Sequence, residues 1–193
     1  MAHHPELPPL VEALGLAGQN IKMYPLIDGI NREDATDNAE KLWVWAKEHG
    51  ECAWAVATGP NFNVIALEVI EARGIQMIRN MIKMGEIEET DDGYNTLNID
   101  ARGRNRPIFF WIYPEGAQAE TKVKVEFPGQ GVRLHVEEGS VTLPKNCEAG
   151  SADYIAKCPN ILKDSAFIPG LKKVVMAVRN DPEKSGSENQ RIA

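Results

Sequence analysis

Residues 53–74, AWAVATGPNFNVIALEVIEARG, constrain the fold more than any other stretch, because two apolar runs flank a Gly-Pro turn and one acid interrupts the second run. Residues 54–57 read as a strand, 58–61 as a turn and 64–70 as a second, aliphatic strand. The short connection predicts that the two strands form a hairpin. An ionised carboxylate inside an apolar strand is costly unless a cation, a metal or hydrogen-bond donors meet it. Glu68 therefore requires a partner from elsewhere in the chain.

The flanking sequence supplies elements to pack on this pair. Pro8 and Pro9 open a first helix with Leu10, Val11, Leu14 and Ala17 as its apolar stripe, and residues 21–26 follow as a strand. Asp37 and Glu40 have capping-box spacing for a helix running to about Glu48 and ended by Gly50. Trp43 and Trp45 are separated by about 200° on that helix, so one packs inward and the other meets a second element or a ligand. Beyond Gly74, Ile75, Ile78 and Ile82 form a helical stripe that Met77, Met81 and Met84 widen, predicting a helix over the strand pair. The run EIEETDD, with five acids between Glu86 and Asp92, reads as a solvated loop after that helix, with a cation site as the minor alternative.

The second half is predicted to be mostly strand. Residues 96–99 are a candidate strand, 108–113 a central aromatic strand, and 122–127 a strand with one solvated face. Val132, Leu134 and Val136 alternate toward a core, which leaves Arg133 and His135 together on the opposite face. His135 reads as surface decoration unless that face lines a site. Residues 141–143 close this meander at Pro144. Ser151 is a candidate cap for a short helix to Lys157, Leu171, Val174, Val175 and Val178 fit one helical face, and 180–193 read as a polar, flexible tail. Between two of the strands, Arg102, Arg104 and Arg106 lie within five residues around Gly103. Arg offers a fork suited to phosphate oxygens and a Gly-containing turn lets backbone amides approach, so this turn is the best phosphate-contact candidate; an exposed hairpin turn explains it equally well.

Bulk properties narrow the function classes. The chain has 193 residues, enough for one domain, residues 1–179, that buries about two-thirds to three-quarters of its unfolded surface. With 43% hydrophobic and 25% charged residues it has a globular composition, and no apolar run approaches the ~20 residues that span a membrane. No secretory signal is seen, and Cys52, Cys147 and Cys158 lack a Cys-x-x-Cys spacing, which points to reduced thiols in a cytoplasm. A formal net charge of −7 disfavours broad, nonspecific nucleic-acid binding, so any such contact must be local. Neither GxxxxGK[ST] nor GxGxxG occurs.

Tyr24-Pro25-Leu26, the helix opened by Ala35-Thr36-Asp37 with Trp43 and Trp45, the run Trp54 to Pro60, and Leu67-Glu68-Val69-Ile70 followed by Gly74 come in the order of known motifs. Together they resemble the bifunctional DNA primase/polymerase (prim-pol) domain of the archaeo-eukaryotic primase superfamily, found mostly in plasmids, phages and integrated elements. The resemblance covers residues 7–145 and is clearest in the first half. It implies an α+β fold of RRM-related type, a mainly antiparallel sheet with packed helices, in which Glu68 lies on a central strand facing a concavity.

The resemblance also implies a phosphoryl-transfer site, but with changed residues. Polymerases hold two divalent cations with converging oxygen ligands, and an Asp-x-Asp strand aims two carboxylates at one face. Here that face offers Glu68 and Ile70, so one candidate catalytic and metal ligand survives, while Glu71 points away or lies in the turn. No His occupies residues 104–108, where the family has Gly-Gly-x-His, and Arg133 stands near a later family acid. The expectation is a degenerate replication module that binds single-stranded DNA, nucleoside triphosphate or a replication partner, with Arg102, Arg104, Arg106, Arg133 and His135 as phosphate contacts. A helicase or other replication protein would act in trans. Two alternatives are an active nucleotidyltransferase using Mg or Mn, with Glu68 joined by Glu71, Asp100 or Glu137, and a protein-interaction domain without a nucleic-acid role.

Overall fold

A computed structural model describes residues 15–49, 52–85, 87–90, 93–94, 96–101, 106–113, 124–127, 131–135, 139–144, 147–149 and 155–157. The chain is of mixed α+β class, with antiparallel sheets and few helices. Residues 15–18 are helical and bury Leu16 and Ala17; residues 1–14, with the rest of the expected first helix, lie outside the described residues. Two helices follow, α1 (Ala39–His49) and α2 (Ala72–Lys83).

The strands divide between a small and a large sheet. In the small one, β2 (Trp54–Thr58) lies between β1 (Met23–Pro25) and β10 (Gly139–Thr142). The large one has the order β11-β6-β7-β3-β9-β8, from β3 (Val64–Val69), β6 (Asn98–Ala101), β7 (Ile108–Ile112), β8 (Lys124–Phe127), β9 (Val132–His135) and β11 (Cys147–Ala149). β12 (Ala156–Lys157) adds to β7 in parallel; the other pairings in both sheets are antiparallel. β4 (Glu89–Thr90) and β5 (Gly93–Tyr94) form a separate antiparallel pair.

Alternation along the large sheet builds two cores. Ile65, Leu67 and Val69 of β3, Phe109 and Trp111 of β7, and Val132 and Leu134 of β9 meet Met77, Ile78 and Met81 of α2. On the opposite face, Val64 and Ala66 of β3 with Ile108 and Phe110 of β7 join the small sheet, α1 and Leu16. β3 and β7 therefore have apolar cover on both sides, which is why β3 reads as a nearly continuous apolar run rather than as an alternating one.

The expected hairpin is corrected by this arrangement. An isolated bridge between Gly59, just beyond β2, and Val64 closes the turn, and β2 and β3 pair in different sheets. Gly59 (φ 113°) and Asn63 (φ 57°) frame a 3₁₀ turn over Pro60–Phe62 that carries the chain from one layer to the other. β10 likewise leaves the expected meander and pairs with β2.

Several local expectations shift. The cap of α1 is Asn38, whose Oδ1 accepts the Lys41 N–H at 3.0 Å, one residue beyond Asp37; Gly50 is outside the described residues. Trp45 is the inward tryptophan, with the Lys41 ammonium 4.5 Å from its ring centroid, and Trp43 packs at the margin of the same core. Met84 ends α2 exposed instead of widening its apolar face. β6 begins at Asn98, two residues later than expected, and the Thr96 hydroxyl donates to the Phe110 carbonyl, 2.5 Å away. Part of the acidic run, Glu89–Thr90, is strand instead of loop. Lys157 is in strand β12, not in a helix capped by Ser151, which itself lies outside the described residues, as do Val136, the 171–178 stripe and the 180–193 tail.

Gly74 and Gly131 fix how α2 meets β9. A Cβ on Gly74 would overlap the Gly131 carbonyl oxygen, and Gly131 itself has φ +69°. That carbonyl accepts from the Ile70 and Glu71 N–H groups at 2.9 and 3.1 Å, tying the end of β3 to the start of β9.

Candidate functional site

Glu68 sits on the central strand β3, in the row of Val64 and Ala66 on the face away from α2. Register places Ile108 of β7 on one side of it and Arg133 of β9 on the other. Directly opposed residues share a face, so Arg133 points the same way as Glu68, and so does His135 two residues on. The Arg133 guanidinium donates to Glu68 Oε2 at 3.2 Å. His135 Nε2 lies 3.0 Å from the same oxygen. An ionised carboxylate only accepts, so Nε2 must carry the proton of this contact.

His135 is only 4% exposed, which corrects its reading as surface decoration. Its register partner is Ala66, whose side chain is a single methyl group, and that leaves room for an imidazole to lean diagonally toward Glu68. As one more small apolar residue in an apolar run, Ala66 carried no separate signal in the sequence. No described residue partners His135 Nδ1, although that atom is buried.

The cluster is graded from buried to open. The Glu68 and Arg133 side chains are 25% and 27% exposed, whereas His135 lies behind them. Burial pushes the Glu68 carboxyl up, but the hydrogen bond and charge of His135, followed by those of Arg133, outweigh it and hold the group below its ordinary range. The carboxylate thus has the partners that its place in an apolar strand demands, and they come from the chain itself.

Arg106 and Pro107 lead into β7, whose first residue, Ile108, pairs with Glu68. The Val69 N–H donates to the Pro107 carbonyl at 3.0 Å, and the exposed Arg106 donates its backbone N–H to Asp100 Oδ1 at 2.8 Å. Arg102 and Arg104 lie outside the described residues. The other acids weighed as metal ligands are engaged elsewhere or not described. Glu71 precedes α2 and pairs with Arg73 Nε at 2.5 Å, Asp100 receives Arg106, and Glu137 is outside the described residues.

These residues do not fit the two-cation centre that the primase/polymerase resemblance implies. Such a centre needs several oxygen ligands converging on each hard cation. Glu68 is one carboxylate, and a guanidinium that cannot deprotonate stands 3.2 Å from its oxygen, where it would repel a metal ion. Among the described residues no group of three or more His, Cys, Asp or Glu side chains converges as a metal site. No described helix is long and apolar enough to cross a membrane. Cys52 is a half-buried free thiol whose pKa is pushed up by burial, which disfavours the nucleophilic thiolate. Compared with known proteins, the chain matches no family model and no curated protein.

Proposed function

We propose that this chain is a degenerate primase/polymerase-like module of a plasmid, phage or integrated element, with the RRM-related prim-pol form of the α+β fold. It binds single-stranded DNA or nucleoside triphosphate through phosphate, without making phosphodiester bonds, and works in the cytoplasm beside a helicase or other replication protein. The observation that carries this reading is the engagement of Glu68 Oε2 by Arg133 and His135 at the position where the resemblance calls for metal-binding acids. Metal ions and arginine both neutralise phosphate oxygens, but a guanidinium cannot activate a hydroxyl nucleophile as a bound metal does. Binding therefore outlives the chemistry. The nearness of Pro107, next to Arg106, to Val69 of β3 supports a local phosphate contact, and a local contact suits a chain of net charge −7.

The test is a titration of single-stranded DNA and of nucleoside triphosphates against wild type and a triple Arg102, Arg104, Arg106→Ala variant. Wild type binds at low salt, binding weakens as salt rises, and the triple variant binds more weakly with a shallower salt dependence. Undetectable wild-type binding at low salt, or binding indifferent to the three arginines, would favour the protein-interaction reading instead.

A further inference from the structure

We propose that Glu68 is a built-in counter-ion that occupies an anion subsite, so that a phosphate group enters by displacing this carboxylate from Arg133. The Arg133 guanidinium donates to Glu68 Oε2 at 3.2 Å, as it would to an oxygen of a bound oxyanion. The open members of the cluster are Glu68 and Arg133, each about a quarter exposed, so an anion from solvent reaches the pair that must exchange. His135 is buried behind them and stays within reach of the displaced carboxylate, which gives Glu68 somewhere to remain. Arginine recognises phosphate through a planar fork of donors, and a carboxylate is the side chain that best mimics that ligand. The subsite is therefore self-limiting: it is formed before any ligand arrives, and Glu68 weakens the hold of Arg133 on an incoming anion.

This inference rests on the phosphate-binding reading above only for the class of ligand, and inorganic phosphate separates the two. Phosphate is titrated at constant ionic strength into wild type, Glu68→Gln and the double variant Glu68→Gln with Arg133→Gln. The carboxamide keeps the shape of Glu68 and one acceptor while removing its charge. Deleting a negative charge at hydrogen-bond distance from Arg133 tightens phosphate binding by about tenfold or more, even with solvent and salt screening. The double variant loses that gain. Equal or weaker phosphate binding by Glu68→Gln overturns the proposal and leaves an ordinary structural ion pair. Tighter phosphate binding without any single-stranded DNA binding keeps the subsite and removes the nucleic-acid reading, and the converse result does the opposite. Should Glu68→Gln fail to fold, wild type still decides: phosphate shifts the side-chain N–H resonance of Arg133 in a saturable manner, and no shift up to about a hundredfold excess over the millimolar range typical of weak sites overturns it.

Discussion

The coupling between Glu68 and His135 can be measured by a double-mutant cycle with Glu68→Gln, His135→Leu and the pair. Leucine keeps most of the buried volume but removes the donor, and glutamine keeps the shape but removes the charge. A hydrogen bond to a charged group contributes about 1.5–3 kcal/mol net. Glu68 is 25% exposed and keeps Arg133 as a second donor to the same oxygen, so water and guanidinium take up part of the loss and the coupling falls at the low end, about 1–2 kcal/mol. Urea denaturation at neutral pH reads it from the midpoints of the four proteins. The pH dependence follows from the carboxyl being held below its ordinary value of 4.5. A depressed folded value means that folding favours the ionised form. The contribution is therefore fully present above the unfolded value and lost as pH falls through the folded one. The contribution of Glu68 to the stability gap between wild type and Glu68→Gln should shrink as pH falls below about 4.5. A coupling below about 0.3 kcal/mol, the ordinary scatter of independent sites, would refute the reasoning. A gap unchanged through the acid range would do the same.

Two further outcomes test how the fold supports this site. Gly74→Ala destabilises the protein by about 1–3 kcal/mol in chemical denaturation, because a Cβ there overlaps the Gly131 carbonyl and the gain in helix propensity is smaller than the repacking cost; a stabilised variant would contradict the close approach of α2 and β9. Asn38→Ala costs about 1 kcal/mol through the lost cap on α1, measured the same way, whereas Asp37→Ala changes stability by less than half of that.

The sequence displayed the faces of the strands but not their neighbours. Val132 and Leu134 on one side of β9, with Arg133 and His135 on the other, followed from a period of two, and the central place of residues 108–112 followed from an aromatic run long enough to need cover on both faces. Period says nothing about which strand lies alongside. The Gly-Pro turn therefore looked like a hairpin, although β2 and β3 diverge into separate layers with almost the same apolar content. The need of Glu68 for a partner was legible from charge and burial alone. That the partners are Arg133 and His135 required the register of β3 on β9. His135 is buried opposite Ala66 across the ladder, a pairing that no local pattern encodes. Between Asp37 and Asn38, two residues equally suited to cap a helix, local sequence offers no means of choosing.

The proposed role of the Glu68, Arg133 and His135 cluster is to hold phosphate without phosphoryl transfer. Primer-extension and primer-synthesis assays with Mg²⁺ and with Mn²⁺ test it most directly. No template-dependent product is expected with either metal, since one carboxylate already engaged by a guanidinium cannot assemble a two-cation centre. Template-dependent products that disappear in Glu68→Gln would contradict it and restore Glu68 as a catalytic metal ligand.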